Sequence, residues 1–283
     1  MKSIALLIAS LVSAPAAQAL PSPVEAKLSP WIQRLKTVEV MIDGHPAKML
    51  FDSGGAVTLV TPAFAKKIGC DPYGRLTGFN MAGTPGYPKK CGQREIRIGA
   101  YKTRIDLLSG DNLGPPGAPE IDGILSLDAF ADQKLTIDLS GDRIVIETEA
   151  SLQKRVGNRP PVPIRIMRAM GGLGLTTFAK VQGPKGDLWF LIDSNNQART
   201  RVSPGALEEF GIAGNVVSEA VANVKTIPLD IRIEGVEEGP TDVAPKDIIY
   251  DGVLNERFVY WHNVTLDLKE KRAWYVFDPK SEL

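Results

Sequence analysis

Apolar and polar positions alternate from Val38 to Ile42, break at Asp43-Gly44, and resume as Lys48-Met49-Leu50-Phe51 before Asp52-Ser53-Gly54-Gly55. Period-two alternation interrupted by Asp-Gly predicts two strands joined by a tight turn, the second running into a polar loop. The same shape recurs far downstream. Phe178 to Val181 reaches a turn at Gly183-Pro184-Lys185-Gly186, and Leu188 to Ile192 runs into Asp193-Ser194-Asn195-Asn196. Both predicted hairpins end in Asp-Ser.

The parallel extends beyond the hairpins. Val60-Thr61-Pro62 opens a short helical pattern, Ala63 to Ile68, that stops at Gly69; Val202-Ser203-Pro204 opens another, Gly205 to Phe210, that stops at Gly211. A hydroxyl at the cap, Pro at the first helical position and Gly past the end are start and stop signals with a physical basis. Asp122-Gly123-Ile124-Leu125 then matches Asp251-Gly252-Val253-Leu254, and Thr136-Ile137-Asp138-Leu139 matches Thr265-Leu266-Asp267-Leu268, both with an offset of 129 residues. Charged turns and apolar strands, Arg143 to Glu147 and Arg272 to Phe277, close each half. One order of strand, Asp-Ser, capped helix, Asp-Gly-Φ-Leu and closing strand, occurring twice, predicts two similar lobes.

Residues 157–163 (Gly-Asn-Arg-Pro-Pro-Val-Pro) cannot continue a helix or central strand, and set the boundary: a lobe at 20–156, a linker at 157–163 and a lobe at 164–283. Ser109 to Pro119 reads as a surface loop, as does Gly171-Gly172-Leu173-Gly174, which lacks the strand, helix and downstream acid of a dinucleotide site. The first nineteen residues stand apart. Met1-Lys2, the apolar run Ile4 to Val12 and Ala17-Gln18-Ala19 have the form of a secretory signal peptide, so the expectation is a periplasmic or secreted chain starting near Leu20. That run is too short to span a bilayer and no other stretch is long enough, so no membrane span is expected.

Composition narrows the chemistry. Lys and Arg total 33 against 33 Asp and Glu, and the balance gives no basic footprint for nucleic acid. With two His (His45, His262) and two Cys (Cys70, Cys91), a recurrent zinc arrangement is not expected, no metal or cofactor is implied, and carboxylates are left to carry any reaction. Gly at 27 and Pro at 21, with 7% aromatics, favour many turns and short strands, hence a mainly β chain. In an oxidising compartment Cys70 and Cys91 form a natural pair, closing a loop of about 20 residues worth roughly 3 kcal/mol in the chain-entropy model.

Each Asp-Ser turn follows an apolar strand, so Asp52 and Asp193 emerge from a core onto a tight loop. A pseudo-twofold axis between the lobes would bring them face to face, and two carboxylates so placed share a proton. The ionised member can then take a proton from water while the protonated member polarises a carbonyl. Ser53 and Ser194 could tie the loops together across the axis. Asp122 and Asp251 are expected to accept backbone hydrogen bonds, and Asp138 and Asp267 to be structural.

Phe51-Asp52-Ser53-Gly54 with Asp122-Gly123-Ile124-Leu125 resembles the Asp-Thr/Ser-Gly and later Φ-Φ-Gly pattern of the retropepsin/pepsin-like aspartic peptidases, especially bacterial exported two-lobe members. The resemblance covers roughly Val38 to Phe277. It implies a bilobal aspartic-protease-like fold of two pseudo-symmetric β-barrel lobes with short helices, and catalysis by Asp52 and Asp193 supported by Ser53, Gly54 and Ser194. It also implies a substrate-covering flap between Asp52 and Asp122, placed at Met81 to Tyr87 with Gly83 and Tyr87 as its key residues. The implied partner is a peptide or protein substrate bound by a monomer, with a symmetric homodimer of first lobes as the alternative.

The second loop departs from the pattern. Asn195 replaces Gly, Asp193 to Pro204 spans eleven residues where Asp52 to Pro62 spans ten, and Arg199 and Arg201 follow. An Arg near the pair would lower a carboxyl pKa and discourage the shared proton. Ser126 and Asn255 replace Gly in the Φ-Φ-Gly elements, and Gly55 offers no hydroxyl to hold the pair acidic, which predicts a pH optimum less acidic than that of a digestive protease. Two functions follow: an exported aspartic endopeptidase, or an impaired relative that binds peptides or a protein in the interlobe cleft.

Overall fold

The computed structural model describes residues 20–278 apart from 112, 115, 116, 224, 238 and 240. The expected leader at 1–19 lies outside the described residues. The first lobe contains β1 (Val24–Pro30), β2 (Lys36–Ile42), β3 (His45–Asp52), β4 (Leu59–Val60), α1 (Pro62–Lys67), β5 (Gly78–Phe79), β6 (Pro85–Gly86), β7 (Lys89–Ile98), β8 (Tyr101–Ser109), β9 (Gly123–Ser126), β10 (Lys134–Asp138), β11 (Arg143–Glu147) and α2 (Glu149–Val156). The second contains β12 (Val162–Met167), β13 (Thr176–Gln182), β14 (Asp187–Ile192), β15 (Arg201–Val202), α3 (Pro204–Glu209), α4 (Gly214–Ala222), β16 (Ile227–Pro228), β17 (Asp242–Pro245), β18 (Gly252–Leu254), α5 (Glu256–Trp261), β19 (His262–Asp267) and β20 (Arg272–Phe277).

The repeat in the sequence is a repeat in register. β3 pairs parallel with β9, setting Phe51 beside Leu125, and β14 pairs parallel with β18, setting Ile192 beside Leu254. Each second strand also receives the short return strand after the Asp-Ser loop: β4 runs antiparallel to β9 and β15 antiparallel to β18. Asp122 accepts from the Lys48 N–H at 2.8 Å and Asp251 from the Trp189 N–H at 2.9 Å, the backbone role expected of both. Asp138 and Asp267 each hold a turn and an Arg: Asp138 accepts from Gly141 N and Arg143 Nε, Asp267 from Glu270 N and Arg272 Nε.

A six-stranded antiparallel sheet in the order β1, β11, β10, β19, β20, β12 joins the lobes. At its centre Thr136 lies opposite Thr265, its own counterpart 129 residues on, with the two hydroxyls 2.9 Å apart. Equivalent residues pair with each other only at a twofold axis, so the axis passes between these threonines. The core is aliphatic on both sides of it: Leu135, Ile137, Val264 and Leu266 are fully buried.

The two capped helices form where their signals stand. Thr61 Oγ1 accepts from Phe64 N at 3.2 Å in α1, and Ser203 Oγ from Ala206 N at 3.2 Å in α3. Cys70, just beyond α1, is bonded to Cys91 on β7 with Cα atoms 5.4 Å apart. The glycine cluster expected as a loop contains a short 3-10 turn over Met170–Gly172.

Candidate active site

Asp52 ends β3 and Asp193 follows β14, so two buried strands deliver their carboxylates to the axis. Each loop folds back on its own carboxylate. Gly54 N donates to Asp52 Oδ1 at 2.9 Å; Asn195 N and Asn196 N donate to Asp193 Oδ1 at 2.8 and 3.1 Å. The serines cross the axis as expected. Ser53 N donates to Ser194 Oγ at 3.0 Å, Ser194 N donates to Ser53 Oγ at 2.9 Å, and Ser53 Oγ donates onward to the Ile192 carbonyl at 2.9 Å. Ser53 and Ser194 are both buried, so this reciprocal grip is shielded from water and fixes one loop against the other.

Gly54 sits between the carboxyl groups. A Cβ on it would lie 2.6 Å from Asp193 Cγ, closer than real contacts allow, so this position accepts no side chain. A Cβ on Gly55 would lie 2.6 Å from Ser126 Oγ and 2.9 Å from Asp52 Oδ2. Ser126, which replaces the family glycine, therefore fills the space beside Asp52 that a hydroxyl-bearing residue 55 would occupy. Asn195 is accommodated by turning toward Asp52: its side chain lowers the Asp52 pKa, although its buried Nδ2 forms no hydrogen bond of ordinary geometry.

Electrostatics point the same way for both acids. Burial pushes Asp52 above the usual carboxylate range against the hydrogen bonds from its loop. Burial raises Asp193 as well, and the neighbouring Asp52 charge raises it further. Arg201 opposes these effects at Asp193, but it is the weakest of the influences there, and Arg199 is turned outward onto Asp242. The arginines thus do not prevent the pair from holding a proton.

The hairpin β5–β6 reaches across to the second lobe, where its Met81 meets Arg201, whose charge is felt at Asp193. Its tip spans Asn80 to Thr84, where Asn80 Oδ1 accepts from Ala82 N and Thr84 N at 3.0 Å each and Gly83 takes φ +74°. Gly83 is therefore at the tip, while Tyr87 lies past β6, exposed, with the Arg75 guanidinium 4.2 Å above its ring. Met81 instead reaches the second lobe. Its carbonyl accepts from Ile249 N at 3.0 Å, and it packs on a cluster of Phe178, Leu191, Ile248 and Val253 flanked by Trp189 and Tyr250. Tyr250 feels the Asp193 charge, which with burial raises its pKa.

Sequence reading missed a third buried acid. Asp128 accepts from Thr58 N at 2.9 Å and Thr58 Oγ1 at 2.6 Å, and the same hydroxyl accepts from Ser126 N at 3.0 Å. This network braces the first loop from behind, with burial pushing Asp128 up to about 6. The only signal was an acid two residues past the Φ-Leu-Ser element. Among the described residues no three His, Cys, Asp or Glu side chains converge as metal ligands.

A half-buried Asp52 and a buried Asp193, on loops gripped together by Ser53 and Ser194 between two β lobes, define the class: a bilobal, mainly β, aspartic-protease-like fold. The aspartyl protease family model matches residues 38–129, the span holding Asp52, the hairpin and the Asp122 turn. The crystal structure of basic 7S globulin from soybean superposes with a TM-score of 0.52 at 9% identity, covering 90% of this chain and 94% of that one, a likeness of fold. No curated protein sequence matches the chain.

Proposed function

We propose that this chain is an exported aspartic endopeptidase that hydrolyses peptide bonds with a water activated between Asp52 and Asp193. The observation that carries the reading is the placing of a half-buried Asp52 and a buried Asp193 on one axis, with Gly54 wedged between their carboxyl groups. The pair shares one proton, with burial raising both acids and the Asp52 charge raising Asp193 further: the ionised member acts as base and the protonated member donates to the scissile carbonyl. The water attacks the carbonyl carbon, the ionised carboxylate takes the water's proton, and the amide nitrogen leaves after protonation. The substrate lies extended beneath the β5–β6 hairpin, whose tip must lift from the Met81 seat to admit it. Because burial raises both acids, the pair holds its proton toward neutral pH, and the optimum is expected only mildly acidic.

Incubating the chain from Leu20 onward with an unstructured protein from about pH 3 to 8 tests this. Cleavage is expected, with a loss of about 10³-fold or more in Asp52→Asn and in Asp193→Asn. Cleavage that persists undiminished in both variants would falsify the mechanism, and loss in Asp52→Asn alone would point to paired first lobes. No membrane-crossing helix occurs among the described residues, and secretion through the 1–19 leader is part of the same proposal, checked by fractionating cells that express the full chain.

A further inference from the structure

Arg201 opens β15 at the register that Leu59 holds in the first lobe: Leu59 lies opposite Ile124, and Arg201 opposite Val253. A cation therefore stands where the other half has an aliphatic side chain. It is half-buried, and its charge reaches Asp193. Among the described residues its one side-chain hydrogen bond runs from Nη1 to the Met81 thioether at 2.8 Å, and none of their carboxylates lies within ion-pair distance of it. A guanidinium offers five N–H donors and a thioether is a weak acceptor, so a half-buried charge is left poorly satisfied. Its single partner belongs to the hairpin tip that an entering peptide displaces. Arg199, two residues earlier, shows the contrast: it is more exposed and already paired with Asp242.

We propose that Arg201 is a specificity-determining residue that receives a carboxylate of the bound peptide when Met81 leaves, so that the cleft selects acidic peptides. This rests on the peptidase reading for its site and deepens it by naming the substrate class. A planar guanidinium can bind a carboxylate through two parallel hydrogen bonds, which no group now beside Arg201 provides. An apolar residue of the same peptide would take the Met81 seat on Phe178, Leu191 and Val253.

The test measures binding as well as cleavage. Fluorescent peptides capped at both ends, differing only by Glu or Gln at one position near an apolar residue, are titrated against the Asp52→Asn chain; a second pair differs by a free or amidated C-terminus. The Glu peptide is expected to bind roughly tenfold tighter than the Gln peptide, with the preference lost in Asp52→Asn/Arg201→Gln and partly kept in Asp52→Asn/Arg201→Lys. A preference confined to the free C-terminus would identify a terminal carboxylate as the group received. In the active chain the same ratio should appear in kcat/KM. Had Arg201 served only to tune Asp193, Arg201→Gln would move the pH profile alike for every peptide and leave the Glu/Gln ratio intact. An unchanged ratio in the variant, equal binding within both peptide pairs, or no binding of any of these peptides overturns the proposal. Acid-selective binding without any cleavage by the unmutated chain would sink the peptidase reading alone.

Discussion

The two Asp-Ser loops start from one plan and end differently built. In the first, Thr58 is held by the buried Asp128 carboxylate and in turn receives Ser126 N. In the second, Thr200 follows the loop at the matching place, but Arg257 stands where Asp128 would be, and the buried Thr200 hydroxyl has no hydrogen-bond partner among the described residues. The first loop closes in ten residues and places Ala56 at φ +61°, a left-handed conformation that costs an L-residue about 1 kcal/mol or more. The second has one residue more, and none of its residues takes a positive φ. What both loops share is what the axis touches: the Asp, the Ser grip and the parallel strand pairs behind them. Divergence lies away from that contact, so the second loop, irregular as a motif, still delivers a buried carboxylate.

Disturbing the contact of the first loop with the second loop's carboxyl group should have the largest effect on this comparison. In Gly54→Ala the new Cβ would meet the Asp193 carboxyl group at 2.6 to 2.9 Å, and Asp193 is held in place by Asn195 N and Asn196 N. Displacing a reacting group by about 1 Å is worth on the order of 10²-fold, so kcat/KM is expected to fall at least that far while the thermal midpoint moves little. Activity within a few-fold of the unmutated chain would mean the carboxyl groups are not set by this contact. The first lobe alone carries a covalent staple. Replacing Cys70 and Cys91 together by Ser should cost roughly 3 kcal/mol in urea unfolding by the loop-closure estimate, with the dyad's pH profile unchanged.

These differences also mark how far the sequence could be read. Strands, capped helices, the Asp-Ser turns and the Asp122 and Asp251 turns rest on local patterns that the repeat raised above coincidence, and the disulfide pair followed from there being two cysteines in an oxidising compartment. The 129-residue offset aligned Thr136 with Thr265, and only the sheet register shows that these two meet on the axis. Contacts that join distant segments left no such trace: Thr58 and Asp128 are 70 residues apart, and Arg34 reaches the buried Glu256 from 222 residues away. The hairpin tip was misread by a few residues for a local reason, because the Asn80 side chain closes the turn upstream of the Gly83-Thr84-Pro85-Gly86 run that drew attention.

Asp128 sharpens the comparison further, because only the first loop carries it. Its carboxyl sits at about 6 when folded and near the ordinary ~4 when unfolded, so between those values the folded chain binds a proton that the unfolded chain has released. Stability from this group is therefore greatest at low pH and is lost as pH rises from about 4 to about 6, by on the order of 3 kcal/mol. The dyad acids, raised by the same cause, add to that slope. In Asp128→Asn the difference in urea midpoint between pH 4 and pH 7 should shrink; an unchanged difference would show that Asp128 does not titrate in this window.

The smallest effect belongs to the residue that looks most damaging in the sequence. Asn195→Gly makes the second motif match the first, and the lone contribution it removes is the amide that lowers Asp52. Without that amide Asp52 ionises less readily, so the acid limb of the pH–rate profile, where the pair takes up its second proton, should move to higher pH. One weak polar contact limits the movement to roughly half a pH unit, and kcat/KM at the optimum should change less than about threefold. A large gain in activity would mean that Asn195 had obstructed the site. A movement of the acid limb to lower pH would mean that its side chain acts on Asp52 with the opposite sign.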